Sequence, residues 1–205
     1  MQKPFTADEL ADFVNKLLVK RLARLEALRQ PLVRIVSPSQ AEGAPSNEFC
    51  VPGGAFIAAG HTWARIEPEG QVRIGIDDFA HKALGTLGQI VLPLHGQELK
   101  AGDVLFSVKR GQEVVTFKAP VSGRVIESNQ TLDAAPDKVN QSPYKEGWVC
   151  RISPSDLKPE LTHLLIGKPV VAWYGEEIKR LRDLKVEAGK PADPLEWSAL
   201  QQFMV

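Results

Sequence analysis

The side chains that could do chemistry in this 205-residue chain are few and scattered. Cys50 and Cys150 stand alone without CxxC spacing, so each reads as a structural thiol, not a metal ligand or half of a disulfide. None of the four histidines is spaced for a metal. Gly53-Gly54 lacks both the Lys-Ser/Thr and the preceding strand of a phosphate loop. With no nucleophile–base pair in view, no catalytic residue and no metal site is expected, and the chain reads as a non-enzyme. What remains is a polar tip, Lys109-Arg110-Gly111-Gln112-Glu113, set between two alternating apolar runs. Val104, Phe106 and Val108 alternate with Leu105, Ser107 and Lys109, and Val115 and Phe117 with Val114, Thr116 and Lys118. Period-two patterning around a glycine-containing turn predicts a hairpin carrying that tip. The turn-rich Lys100-Ala101-Gly102-Asp103 and Ala119-Pro120-Val121-Ser122-Gly123 flank it.

The elements that must position the tip are many short strands. Two antiparallel strands are predicted around Pro68-Glu69-Gly70, with Trp63, Arg65 and Glu67 on one and Val72, Ile74 and Ile76 on the other. Asp77 or Asp78 caps a short helix that ends near Gly85. Gln89–Leu92 leads into the hairpin, 131–140 is a polar helix-like stretch, and 148–152 is a closing strand. The whole reads as a small β barrel or sandwich with flanking helices, α+β in class.

The flanks are helical. Residues 5–29 carry a Thr6/Glu9 capping box and an apolar stripe of Leu10, Phe13, Val14, Leu17, Leu18, Leu22, Leu25 and Leu28, closed by Pro31. Asp8, Glu9, Asp12 and Glu26 dilute its basic face, which weighs against a membrane-surface helix. Residues 156–165 and 169–184 are predicted helices, and a last turn or two follows Asp193-Pro194 with Leu195, Trp197, Leu200 and Phe203. These aromatics are expected to pack on the barrel or at a subunit interface. The expected organisation is a helix and extension over 1–36, a linker or loop over 37–60, a β domain over 61–153 and helices over 154–205. The balance of 25 basic and 25 acidic residues argues against a nucleic-acid partner. No apolar run approaches the roughly 18 residues that span a bilayer, and the start lacks a signal-peptide pattern. A soluble, cytoplasmic protein is therefore expected, with no membrane partner.

The β region resembles the H protein of the glycine cleavage system, a lipoyl carrier that passes an aminomethyl group between partner enzymes. The resemblance rests on His61-Thr62-Trp63, where the family has His-Glu-Trp, and on the stretches 72–80, Leu84-Gly85, Leu92-Pro93, Gly96 and 99–102. Its most specific parts are Ala119-Pro120-Val121-Ser122-Gly123 and the run 139–148, with Asn140, Pro143, Tyr144, Gly147 and Trp148. It covers about residues 61–178 and leaves the N-terminal helix and the last twenty-odd residues outside. The implied fold is a barrel-sandwich hybrid, as in lipoyl and biotinyl carriers, with the modified lysine at a hairpin tip.

At that tip the chain departs from the family. The family's lysine lies seven residues before the Ala of Ala-Pro-Val-Ser-Gly, and counting back from Ala119 reaches Gln112. A Gln amide nitrogen, delocalised into its carbonyl, cannot form the lipoyl amide. Thr62 also replaces a glutamate that the resemblance places near the arm's cavity, so no carboxylate is available there for a protonated amine. The resemblance thus implies a non-lipoylated relative without cofactor, a partner-binding or scaffold module using the tip. Partners would be glycine-cleavage or other lipoyl-handling proteins, and the terminal helices leave self-association open. The alternative is a working carrier with lipoate on a displaced lysine, Lys109 first. No Met-Lys-Met tip for biotin is present.

Overall fold

The computed structural model describes residues 12–21, 32–36, 48–187 and 197–204. The chain falls into two units, Met1–Leu32 and Val33–Val205. In the first, residues 12–21 are helical (α1), inside the predicted span, with Phe13, Val14, Leu17 and Leu18 exposed. The Thr6/Glu9 capping box, Leu10, Leu22, Leu25, Leu28 and Pro31 lie outside the described residues, as do Asp193, Pro194 and Leu195.

The second unit begins with a two-stranded sheet, β1 (Leu32–Val36) and β2 (Glu48–Pro52). Then come β3 (Phe56–Ile57), β4 (Thr62–Ile66), β5 (Val72–Ile76), helix α2 (Asp78–Leu84) and β6 (Gln89–Val91). The hairpin region is built from β7 (Glu98–Leu99), β8 (Val104–Arg110), β9 (Glu113–Lys118) and β10 (Gly123–Ser128). Short helices α3 (Thr131–Ala134) and α4 (Lys138–Gln141) lead to β11 (Trp148–Pro154). Helix α5 (Leu157–Glu160), a 3-10 turn (Leu161–His163), the long α6 (Lys168–Glu187) and α7 (Trp197–Leu200), with a 3-10 turn at Gln201–Phe203, follow.

The strands form a six-stranded sheet in the order β3-β4-β5-β11-β10-β7 and a three-stranded sheet in the order β6-β8-β9, all antiparallel neighbours. They stay separate sheets, so the body is a sandwich and not one closed barrel. Val108, Val115 and Phe117 from the small sheet and Ile74, Val125 and Ile152 from the large one are fully buried in a shared core. Hydrophobic burial on two facing sheets is what drives such a body together.

Two predicted details changed. The 37–60 stretch is not all linker, because Glu48–Pro52 and Phe56–Ile57 are strands with Cys50, Val51 and Ile57 buried. The Cys50 backbone is held by side chains from far along the chain, a partnership that local composition does not announce. The alternation in β8 also breaks. A bulge between Val104 and Phe106 leaves Val104 exposed and turns Leu105 into the core beside Phe106. In β4 Thr62, Trp63 and Ala64 are all buried, so no alternation shows there, while in β9 the pattern holds and the predicted apolar side of α6, from Val170 to Leu184, packs on the core.

Candidate functional site

Arg110 and Glu113 close the β8–β9 ladder, leaving Gly111-Gln112 as a two-residue turn. Gly111 has φ 60 and Gln112 does not share that sign, the II′ arrangement that suits a right-twisted hairpin and needs glycine first. The predicted tip holds for Arg110–Glu113, with Gln112 exposed at its apex, but not for Lys109, which belongs to the strand. Lys109 sits elsewhere. It pairs with Gln89 on one side and Val114 on the other, in the central strand of the small sheet, and its side chain is half-buried. Gly88 donates its N–H to the Lys109 carbonyl at 2.9 Å and approaches so closely that a Cβ there would lie 2.9 Å from that oxygen. Lys118 ends β9, opposite Val104.

Arg110 and Glu113 make an ion pair across the turn at 2.9 Å. The Trp197 backbone N–H donates to Glu113 Oε1 at 2.9 Å, and this bond, with those from Arg110, holds the Glu113 carboxyl below its ordinary range. The Arg110 guanidinium lies 4.6 Å from the centre of the Trp197 ring, and the indole N–H donates to the Leu84 carbonyl at 3.0 Å. The tip is thus bracketed by the C-terminal segment; the sequence predicts that Trp197, Leu200 and Phe203 pack on the barrel or at an interface, but not that Trp197 packs on this tip.

The framework residues predicted from the resemblance all have structural work. Trp63 donates its indole N–H to the Pro143 carbonyl at 3.1 Å, and its ring fills the space a Cβ on Gly75 would occupy, 2.7 Å away. Tyr144 is fully buried, accepts from the Asp78 N–H at 2.8 Å and donates to the Cys50 carbonyl at 2.9 Å. Asn140 donates to the Gly85 carbonyl at 2.9 Å, satisfying the end of α2. Gly123 and Gly147 lie where a Cβ would meet backbone, at 2.2 Å from the Ser153 oxygen and 2.7 Å from the Lys138 oxygen. Trp148 lies under the guanidinium groups of Arg73 and Arg151.

His61 is buried with φ 59, a strained backbone for a non-glycine residue. Its ring is stacked between Phe79 and Trp173 at 4.4 and 4.7 Å. Nδ1 bonds Asp77 Oδ2 at 2.9 Å, and Nε2 lies 3.8 Å from Glu177 Oε2. Burial alone would depress this imidazole, but Asp77 and then Glu177 outweigh it and hold the pKa up. Thr62 is buried and donates to the Lys118 carbonyl at 3.3 Å, tying the large sheet to the end of β9.

Sequence reading treated Asp77 and Asp78 as alternative helix caps and missed their wider role. Asp77 is the cap, accepting from the Ala80 N–H at 2.8 Å. Asp78 accepts from the Cys50 N–H at 2.8 Å, His81 Nε2 at 2.8 Å and Lys82 Nζ at 2.7 Å. Burial opposes ionisation of Asp78, yet His81 and Lys82 prevail and lower its pKa. Both cysteines are buried free thiols, and burial pushes Cys150 up to about 12, which leaves it unreactive. Among the described residues no cluster of three or more His, Cys, Asp or Glu could hold a metal, and no helix is long and apolar enough to cross a membrane.

The β8–β9 turn itself, Gly111-Gln112, carries no amine side chain. Comparison with known proteins agrees with this body plan. A family model described as Glycine cleavage H-protein matches residues 56–176. A probable glycine cleavage system H protein of Pyrococcus horikoshii is 39% identical over 134 residues, 65% of this chain and 96% of its own length. A glycine cleavage system H protein of Oceanobacillus iheyensis is 43% identical over 115 residues, 56% of this chain and 90% of its own. The crystal structure of a glycine cleavage system H protein from Mycobacterium marinum matches with a TM-score of 0.55 at 30% identity, over 61% of this chain and 99% of that one.

Proposed function

The chain belongs to the glycine cleavage H-protein family, and from that premise we propose that it works without a lipoyl arm, as a non-catalytic module that binds protein partners through its hairpin face. One observation carries the reading: Gln112 stands exposed in the two-residue turn, and the count back from Ala119 puts the family's lipoyl lysine at this same residue. An arm there needs an amine that can attack an activated acyl group, and the Gln amide has none to give. The framework around the tip is kept, with Trp63, Tyr144, Asn140 and the close-packed glycines all in use. A chain that kept the frame and dropped the anchor has kept what a partner would recognise. The partners this reading favours are proteins that handle lipoyl-type domains, in a cytoplasmic setting.

Lys109 is a poor substitute. It lies in the middle strand of its sheet, with Gly88 packed on its carbonyl and its side chain half in the surface. An attaching enzyme would have to reach past the turn. The test is to incubate the wild type and Lys109→Arg with a lipoate ligase, lipoate and ATP, and to map any adduct by peptide mass spectrometry. No adduct on either is expected. An adduct on the wild type that vanishes in Lys109→Arg would replace this reading with that of a displaced-lysine carrier.

A further inference from the structure

Beyond the family-matched residues 56–176, the segment 197–204 lies along the hairpin. Trp197, Leu200, Phe203 and Met204 are almost wholly buried. The segment is held at three places, two on the hairpin and one beyond it. At the tip, Trp197 takes Glu113 through its N–H and Arg110 over its ring. Along β9, which has no strand neighbour on its outer side among the described residues, the Gln201 side chain accepts from the Thr116 N–H at 2.9 Å and donates to the Thr116 carbonyl at 3.4 Å. That amide takes both backbone groups that Thr116 would offer an added strand. At the far end, the Met204 carbonyl oxygen comes within 3.1 Å of where a Cβ on Gly60 would lie, an approach that glycine permits. Phe203 meets Phe79 at 6.0 Å and lies under Arg180 of α6.

A four-residue helix and a 3-10 turn cannot hold their shape alone. The segment is ordered because the hairpin face orders it, so docking and folding of these residues are one event. We propose that residues 197–204 are an autoinhibitory strap, which occupies the β9 edge and the Arg110–Glu113 rim and so closes that surface to any protein that must grip the hairpin from the β9 side. A partner or modifying enzyme reaches this face only in molecules whose strap has lifted. This rests on the reading of the hairpin as the partner-binding element and adds a second barrier to attachment besides Gln112.

The probe is a lipoate ligase acting on an installed lysine, whose amine displaces AMP from activated lipoate to form an amide. Gln112→Lys is compared with Gln112→Lys/Trp197→Ala/Gln201→Ala, both full-length and checked for fold by circular dichroism. Because the observed rate scales with the fraction of molecules in the competent state, the loosened variant should be modified at least about tenfold faster. Equal rates, including no modification of either, overturn the strap. If the triple variant does not fold, Gly60→Ala in the Gln112→Lys background pushes on Met204 without removing an apolar anchor. There, faster exchange of the Thr116 amide with faster modification supports the strap, and faster exchange without it overturns it. Unchanged exchange also overturns it, since crowding the Met204 oxygen by a few tenths of an ångström should loosen a segment poised to lift. These variants all carry an added lysine, so their result is separate from whether the wild type bears an adduct.

Discussion

At the hairpin tip Arg110 and Glu113 face each other with 36% of each side chain still in water, while at the start of α2 Asp77 and Asp78 are buried beneath β2, Tyr144 and the His61 ring. An exposed pair is screened and contributes little to stability. A buried carboxylate with several donors is different, because removing it leaves each donor unpaired in a medium that cannot solvate it. The contrast separates two jobs. Asp78 holds β2, outside the family match, to the start of α2, whereas the exposed Gln112 side chain at the tip is free to vary without loss of fold.

The largest effect should come from the buried end. Asp78→Ala strips the acceptor from Cys50, His81 and Lys82, and a loss of about 3–5 kcal/mol is expected in urea unfolding. A loss below about 1 kcal/mol, the range of an exposed pair, would erase the distinction between the two regions. Next comes Gly75→Ala, whose methyl would sit 2.7 Å from the Trp63 ring, and overpacking there should cost about 1–3 kcal/mol in the same measurement.

A pH effect sharpens the comparison further. The pKa of His61 is raised on folding, so its charged form adds stability that is fully present below the unfolded value of about 6.5. That stability is lost as pH rises through the folded value. His61→Gln should flatten this part of the stability–pH curve, and a wild-type curve that rises over the same window would contradict the assignment. The smallest effect belongs to the tip. Gln112→Ala should leave unfolding within about 0.5 kcal/mol of wild type, since an exposed turn side chain has no packing to lose.

Sequence patterning carried the reader unevenly through these regions. The hairpin was legible because Val108, Val115 and Phe117 alternate around a glycine turn, and structure and sequence agree on the apex at Gly111-Gln112. The framework residues were legible through family resemblance, although their partners were not. Three things stayed hidden. The strand at Glu48–Pro52 lies in a stretch rich in Ser, Pro and Gly, and its Cys50 backbone is bonded by Asp78 and Tyr144, 28 and 94 residues away. The bulge that buries Leu105 depends on ladder register, which alternation alone cannot fix. The strap contact joins Trp197 and Gln201 to Glu113 and Thr116, 84 and 85 residues apart, and no local period encodes a pairing at that range.

On the proposed reading, this member of the family carries no arm. Intact-mass and peptide mass spectrometry of the full chain, purified from its own host growing with an active lipoyl-attachment pathway, tests it most directly. The account predicts the unmodified chain, with Gln112, Lys109 and Lys118 all recovered as the free side chains. A lipoyl group on any lysine of the chain would contradict it.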